Sequence, residues 1–278
     1  MNWLITGVSG GLGRALAQAA LARGDKVAGT VRKPDDLAAF ERLGSGRAFG
    51  YLADMTDEGA IRTAVDRAEA DLAGIDVLVG NAGYGLVGAV EESSLSEIRR
   101  QFEVNVFGPI AAIQAALPYF RQRRRGHVIT ITSVSGVATW AGTGIYCGSK
   151  HALEGVTRTL AEEVAELGIK VTNVEPGGMR TDYAGRSMVV TQRQIAEYDG
   201  AARNAQRILS DHAGHEPGDP AKVAQAILEI AGTDDPPLQL LLGADAMLYA
   251  TRQLAAFQAE IGRWARLTLS TGFDEGAD

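Results

Sequence analysis

The chain has 278 residues, 46% of them hydrophobic and 22% charged, with a net charge of -7 and a pI of about 5.2. That balance suits a globular chain with a sizeable core and argues against a general nucleic-acid-binding role. The single cysteine, Cys147, excludes an internal disulfide and a cysteine metal cluster, and no histidine spacing points to a metal.

In chain order, Asn2 to Thr6 reads as a short apolar strand. It runs into Thr6-Gly7-Val8-Ser9-Gly10-Gly11-Leu12-Gly13 and then into a helical pattern from Arg14 to Arg23. Strand, glycine turn and helix in this order form a candidate dinucleotide site, because glycines let the backbone approach a ligand and a helix N-terminus favours a pyrophosphate. MNWLITGVSGG lacks the build of a signal peptide, and no apolar run nears the ~18 residues of a membrane span. A cytoplasmic location and no membrane partner are therefore expected.

The second strand, Lys26 to Val31, ends without an acidic residue and is followed by Arg32-Lys33-Pro34. An acid there would hold a ribose 2′-hydroxyl, whereas arginine suits a 2′-phosphate. The sequence thus favours NADP(H) over NAD(H), against the alternative of an ordinary charged loop. Ala48 to Leu52 is the third strand, ending near Asp54, which either meets an adenine edge or caps the turn. Thr56-Asp57 caps a helix to Leu72. Ile75 to Val79 is an apolar strand of a sheet covered on both faces, ending in Gly80-Asn81-Ala82-Gly83. A glycine-bearing turn at that carboxyl edge is a second candidate ligand contact.

A helix is expected from about Ser94, with Asn105 inside it and a bend or break at Gly108-Pro109. Asn105 is either a functional side chain at that kink or a solvated one. Ile110 to Arg125 is helical. Its arginine-rich end reads as a solvated C-terminus, stopped by Gly126. His127 to Thr132 is a strand ending at Ser133. Ile145 to Leu167 is a helix closed by Gly168. It carries Tyr146 and Lys150, four residues apart and so on one face. An ammonium beside a phenol favours the phenolate, and a tyrosine so tuned can exchange a proton with a carbonyl or alcohol oxygen. Ser133 can hydrogen-bond the same oxygen.

Ile169 to Val174 is a further strand, followed by Glu175-Pro176-Gly177-Gly178-Met179-Arg180-Thr181. Residues 182–218 read as a substrate lid with a helix near Gln192 to Leu209. A helix from Asp219-Pro220 to Ala231, a last strand Leu238 to Leu242 and a helix from Ala244 to Leu267 complete the chain. That last helix either covers the pocket or packs on a partner subunit. The whole is expected to be one α/β domain spanning 1–278, a single doubly wound parallel sheet of about seven strands with helices on both faces.

Taken together, TGVSGGLG, Asp54, Asn81-Ala82-Gly83, Asn105, Ser133, YCGSK at Tyr146 to Lys150 and Pro176-Gly177-Gly178 resemble the short-chain dehydrogenase/reductase family. The match runs from residue 2 to about 181. The resemblance implies Tyr146 as general acid/base, with Lys150 lowering its pKa and holding the nicotinamide ribose. It implies Ser133 on the substrate oxygen and Asn105 anchoring a relay water. Gly7, Ser9, Gly11, Leu12 and Gly13 would line the pyrophosphate site. Asp54 would meet adenine, Asn81 and Ala82 the adenosine, with Gly83 in the same turn. Pro176, Gly177 and Thr181 would border the nicotinamide. The family usually has Asn where Gly80 stands. NADP-preferring members often carry a basic residue where Gly10 stands, which leaves Arg32 and Lys33 to recognise the 2′-phosphate.

The expected activity is NADP(H)-dependent interconversion of a ketone or aldehyde and an alcohol. The pocket would be formed by Val134 to Gly144, the lid and the last helix. Trp140, Tyr183, Met188, Val189, Val190 and Phe257 suggest a mainly apolar substrate. Two other readings of the same fold are a non-catalytic dinucleotide sensor and an epimerase or dehydratase that retains NAD. A homodimer or homotetramer through helices 94–125 and 145–167 follows from the resemblance.

Overall fold

The computed structural model describes residues 1–181 and 187–273. Nine strands are described: β1 (Asn2–Ile5), β2 (Lys26–Val31), β3 (Ala48–Leu52), β4 (Val77–Gly80), β5 (Gly85–Val87), β6 (Gly126–Ile131), β7 (Ile169–Pro176), β8 (Met188–Val190) and β9 (Gln239–Leu242). The α-helices among the described residues are α1 (Gly11–Ala22), α2 (Pro34–Glu41), α3 (Glu58–Leu72), α4 (Leu95–Phe102), α5 (Gly108–Arg123), α6 (Gly144–Val164), α7 (Asn204–Asp211), α8 (Pro220–Ala231) and α9 (Ala244–Leu269). Seven strands form one parallel sheet in the order β3-β2-β1-β4-β6-β7-β9. The order reverses between β1 and β4, so the loops leaving their carboxyl ends diverge and open a crevice there.

The central strands are apolar because both faces are covered. Trp3, Ile5, Val77 and Val79 face a layer built from α1 and α8. Leu4, Leu78 and Val128 face α3, α5 and the end of α6. Local chemistry fixes several ends. Asp57 caps α3 by accepting from Ala60 N–H. Ser94 and Glu97 form a reciprocal box at the start of α4. Gly168 takes the left-handed conformation after α6, at φ 71°.

Several expectations need correction. The chain does not break at Gly108-Pro109. Residues Glu103–Phe107 wind as a π-helical turn between α4 and α5, and Asn105 within it is buried rather than solvated. Pro109 sits in the first turn of α5, directly after the π turn. Gly108 is required by close approach, since a Cβ there would lie 2.5 Å from the Met55 carbonyl oxygen. The stop of α5 is Arg124, in the left-handed region at φ 52°, and not Gly126, which opens β6. Arg123 in that arginine run is partly buried and ion-paired with Glu69.

Of the helix expected near Gln192 to Leu209, only Asn204–Asp211 is α-helical, preceded by a π turn over Asp199–Arg203 and a 3-10 turn at Ala196–Tyr198. The first residues of the expected lid, 182–186, lie outside the described residues. Helix α2 and the two-stranded sheet β5-β8 are additions that the sequence reading lacked. The last helix covers the pocket only through its first turns. Ala246 and Ala250 are buried against Val134, while most residues from Thr251 onward are exposed. No helix among the described residues is long and apolar enough to cross a membrane.

Candidate active site

A cleft of about 1570 Å³ runs along the carboxyl edge of the sheet. At one end it is made of backbone. Gly7 and Gly11 have φ of +73° and +55°, which a side chain would strain. A Cβ on Gly13 would sit 2.4 Å from both the Gly7 carbonyl oxygen and Asn81 Nδ2. Asn81 Nδ2 donates to the carbonyls of Thr6 and Gly7, at 2.8 and 3.2 Å. Thr6 Oγ1 accepts from the N–H groups of Asn81 and Ala82, at 2.9 and 3.0 Å. The two glycine turns are thereby tied together at the point where the sheet order reverses. No side chain caps α1, so its first N–H groups are left for a ligand. A glycine-lined wall with uncapped helix donors fits a dinucleotide pyrophosphate.

Of the residues singled out from the sequence, Gly7, Ser9, Gly11, Leu12, Arg32, Asp54, Asn81, Ala82, Gly83, Ser133, Tyr146, Lys150, Pro176, Gly177 and Thr181 line the cleft. Gly13 and Asn105 stand behind it. Asp54 both lines the cleft and closes its turn, accepting from Thr56 N–H and Oγ1 at 2.9 and 2.8 Å. Burial raises its carboxyl, but the Thr56 donors and the Arg100 and Arg32 charges outweigh this and hold it below the usual range. Arg32 and Lys33 share their wall with Asp36 of α2.

Midway along the cleft, Ser133 ends the segment that follows β6. Its Oγ accepts from Ser135 N–H at 3.0 Å, which leaves the hydroxyl hydrogen available to another acceptor. On α6, Lys150 Nζ lies 5.8 Å from the centre of the Tyr146 ring and donates to the Ile131 carbonyl at 2.9 Å. Burial pushes the Lys150 ammonium down to about 8, while Glu154 pulls it up. Asn105 joins this wall to its surroundings. Its Nδ2 donates to Ser149 Oγ and to the Tyr84 carbonyl, and its Oδ1 accepts from Tyr84 N–H. Sequence reading missed Thr6, Tyr84 and Ser149 as partners in this frame. Thr6 stood within the glycine motif and Ser149 within YCGSK, but nothing local marks Tyr84.

The far end is made of side chains. Trp140 and Val189 line it, joined by Leu86, Val87, Ile208 and Tyr249. Met188, Val190 and Phe257, expected there, do not line the cleft, and Phe257 is 62% exposed on α9. Tyr183 lies outside the described residues. Residues 192–203 are strapped to residues 91–97 by carboxylates. Glu92 is buried, accepts from Ala89 and Ile195 N–H and pairs with Arg203. Glu97 accepts from Gln192 N–H and Glu91 from Tyr198 Oη.

A parallel sheet with a glycine cradle at its switch point and a buried lysine beside a cleft tyrosine defines a nucleotide-linked oxidoreductase fold. The family model described as short chain dehydrogenase matches residues 2–189, and the chain belongs to the short-chain dehydrogenase/reductase family. It is 38% identical over 271 residues to oxidoreductase BOA17 of Botryotinia fuckeliana, covering 97% of this chain and 98% of that protein. It is 34% identical over 241 residues to 3-ketodihydrosphingosine reductase of Bacteroides thetaiotaomicron, covering 86% and 87%. The crystal structure of a short-chain dehydrogenase from Streptomyces avermitilis superposes with a TM-score of 0.91 at 38% identity, covering 97% of this chain and 98% of that one. The protein is thus an oxidoreductase of a family that uses NAD or NADP.

Proposed function

We propose that this chain is an NADP(H)-dependent enzyme that interconverts a ketone or aldehyde with an alcohol, with Tyr146 as general acid/base. The observation that carries the reading is the buried Lys150 ammonium, 5.8 Å from the Tyr146 ring in a cleft whose other end is a glycine cradle. A positive charge so placed favours the phenolate, so Tyr146 gives its proton to a carbonyl oxygen in reduction and takes it back in oxidation. Ser133 donates its hydroxyl hydrogen to the same oxygen. Asn105 holds the Tyr84 backbone and α6 in register around them. When bound, the nicotinamide supplies or accepts the hydride.

Arg32 and Lys33 at the end of β2 support a 2′-phosphate, and with it NADP(H), against the opposing Asp36. Leu86, Val87, Trp140, Val189 and Ile208 support a mainly apolar substrate. The relative named 3-ketodihydrosphingosine reductase fits that reading and suggests a long-chain carbonyl compound. The same reading has the protein act as one domain in the cytoplasm, as a dimer or tetramer through α4–α5 and α6, where Leu95, Phe107 and Val156 are exposed.

The test is turnover with NADPH and with NADH against short- and long-chain ketones and aldehydes, with Tyr146→Phe alongside. Expected are an NADPH preference, better rates on long chains, and a fall of about 10³-fold in the variant with cofactor binding retained. An NADH preference would remove the role of Arg32. Full turnover by Tyr146→Phe would remove that of Tyr146.

A further inference from the structure

Behind Lys150, a set of polar side chains is sealed between α6 and the sheet. Glu154, one turn further along α6, is 3% exposed, and Glu175 in β7 is 2% exposed. Gln239 of β9 bridges them. Its Nε2 donates to Glu154 Oε1 at 3.1 Å and to Glu175 Oε1 at 2.9 Å. Asn173 Nδ2 also donates to Glu154 Oε1, at 2.7 Å, while Asn173 Oδ1 accepts from the hydroxyls of Thr130 and Thr157. The two carboxyls thus share one amide nitrogen as donor, and no ion pair with either is found among the described residues. Glu154 Oε2 is buried without a donor. Two neighbouring buried carboxylates cannot both ionise cheaply, and a proton held by the pair supplies a donor that it lacks.

We propose that Glu154 and Glu175 share one proton at neutral pH and below, where the pair carries a single negative charge behind Lys150, and that Glu154, ionised throughout, acts through Lys150 as a positioning residue of the reaction. This rests on the reading of Tyr146 and Lys150 given above. One negative charge balances one buried ammonium and opposes the burial that drives off the lysine's proton. The groups facing the pair are few. From α6 come Lys150 and Arg158. From β9 and β6 come the uncharged Gln239 and Thr130. Asp245 of α9 stands beyond, where it accepts from Gly178 N–H at 2.8 Å. Burial pushes Glu175 up to about 7; Gln239 opposes this and Glu154 adds to it.

The consequence has a sign. Without the Glu154 charge, Lys150 loses its proton more easily, Tyr146 loses its counter-charge, and the phenol ionises at higher pH. The experiment is the pH profile of alcohol oxidation for the wild type, Glu154→Gln, Glu175→Gln and Tyr146→Phe, with infrared spectra of the cofactor-free proteins across the same pH range. Glu154→Gln is expected to raise the profile midpoint by about one unit, a tenfold change at fixed pH. Glu175→Gln replaces the shared proton by an amide donor and should move the midpoint by no more than about 0.3 unit. The wild type should show a buried carboxylic-acid C=O band that fades as pH passes about 7, and Glu175→Gln should lack it. A folded Glu154→Gln with an unmoved midpoint, or a wild type without that band, would overturn the pair. Only full turnover by Tyr146→Phe would overturn the site itself.

Discussion

The two ends of the cleft are made of different materials. At the dinucleotide end, Gly7, Gly11 and Gly13 bring backbone against backbone, and Thr6 and Asn81 stitch the two turns. At the substrate end, residues 191–203 are held by side chains, chiefly the carboxylates of Glu91, Glu92 and Glu97. A wall of backbone has one shape, because no rotamer can relieve it. A wall of side chains and straps can change occupant without changing fold. The contrast suits a chain with a fixed cofactor and an open choice of substrate.

Four changes would break or sharpen that contrast. The largest effect belongs to Gly13→Ala. Its Cβ would meet the Gly7 carbonyl oxygen at 2.4 Å, and neither neighbour is free to move. A loss on the order of 3 kcal/mol in urea unfolding, with dinucleotide binding abolished in a fluorescence titration, is expected. Wild-type stability and binding would show that the cradle is soft.

Next comes the sheet that both ends share. His127 is buried, with Nε2 2.9 Å from Thr172 Oγ1, and burial pushes it down to about 4 from 6.5. The unfolded chain therefore binds the extra proton between those values, and the native state loses stability as pH falls through that window, by about 3 kcal/mol. Glu175 runs the other way. Its folded value, about 7, lies above its ordinary 4.5, so its contribution is present at low pH and lost as pH rises towards 7. His127→Gln should flatten the acid limb of the stability curve, read as unfolding midpoints from pH 7 to 4. An unchanged slope would mean that His127 charges within the fold.

Third, Arg203→Ala leaves the Glu92 carboxylate buried with only its backbone donors. A cost of about 2 kcal/mol is expected, with KM raised more than kcat is lowered as the lid strap loosens. Equal falls in kcat and kcat/KM would place the lid in the chemical step itself. The smallest effect is expected from ending the chain after Thr251. Leu254, Phe257, Ile261 and Trp264 are each 48–62% exposed, so their removal should cost under about 1 kcal/mol in urea. A larger loss, accompanied by a change in molecular mass, would place α9 against another chain.

Legibility followed the same division. The glycine turn before α1, the Asp57 and Ser94 caps, the Gly168 stop and the Tyr146–Lys150 pair rest on neighbours in sequence, and those were readable. The pairing of Gly85–Val87 with Met188–Val190 was not, because three-residue strands a hundred positions apart carry no local period. Helix α2 carries a signal, Pro34 in its first turn with Asp35 and Asp36 behind it, that the reading in chain order passes over. Glu154, Glu175 and Gln239 come from three elements, and only the fold makes them one cluster. Trp140 and Val189 were readable as apolar, but burial in the cleft could not be told from exposure on α9, where Phe257 lies.

The π turn at Glu103–Phe107 also fixes what kind of genetic change this region can tolerate. It holds one residue more than an α-helical turn, and each residue in a helix is worth about 100° of rotation. A substitution there alters one side chain. A one-residue deletion would let the backbone close into an ordinary helix and would turn α5 by that angle, carrying Ala112, Ala116 and Phe120 off the sheet or pulling Asn105 away from Tyr84. The spacing between Ser94 and Pro109 is therefore a counted length, and families of this chain should vary there in letters and not in number.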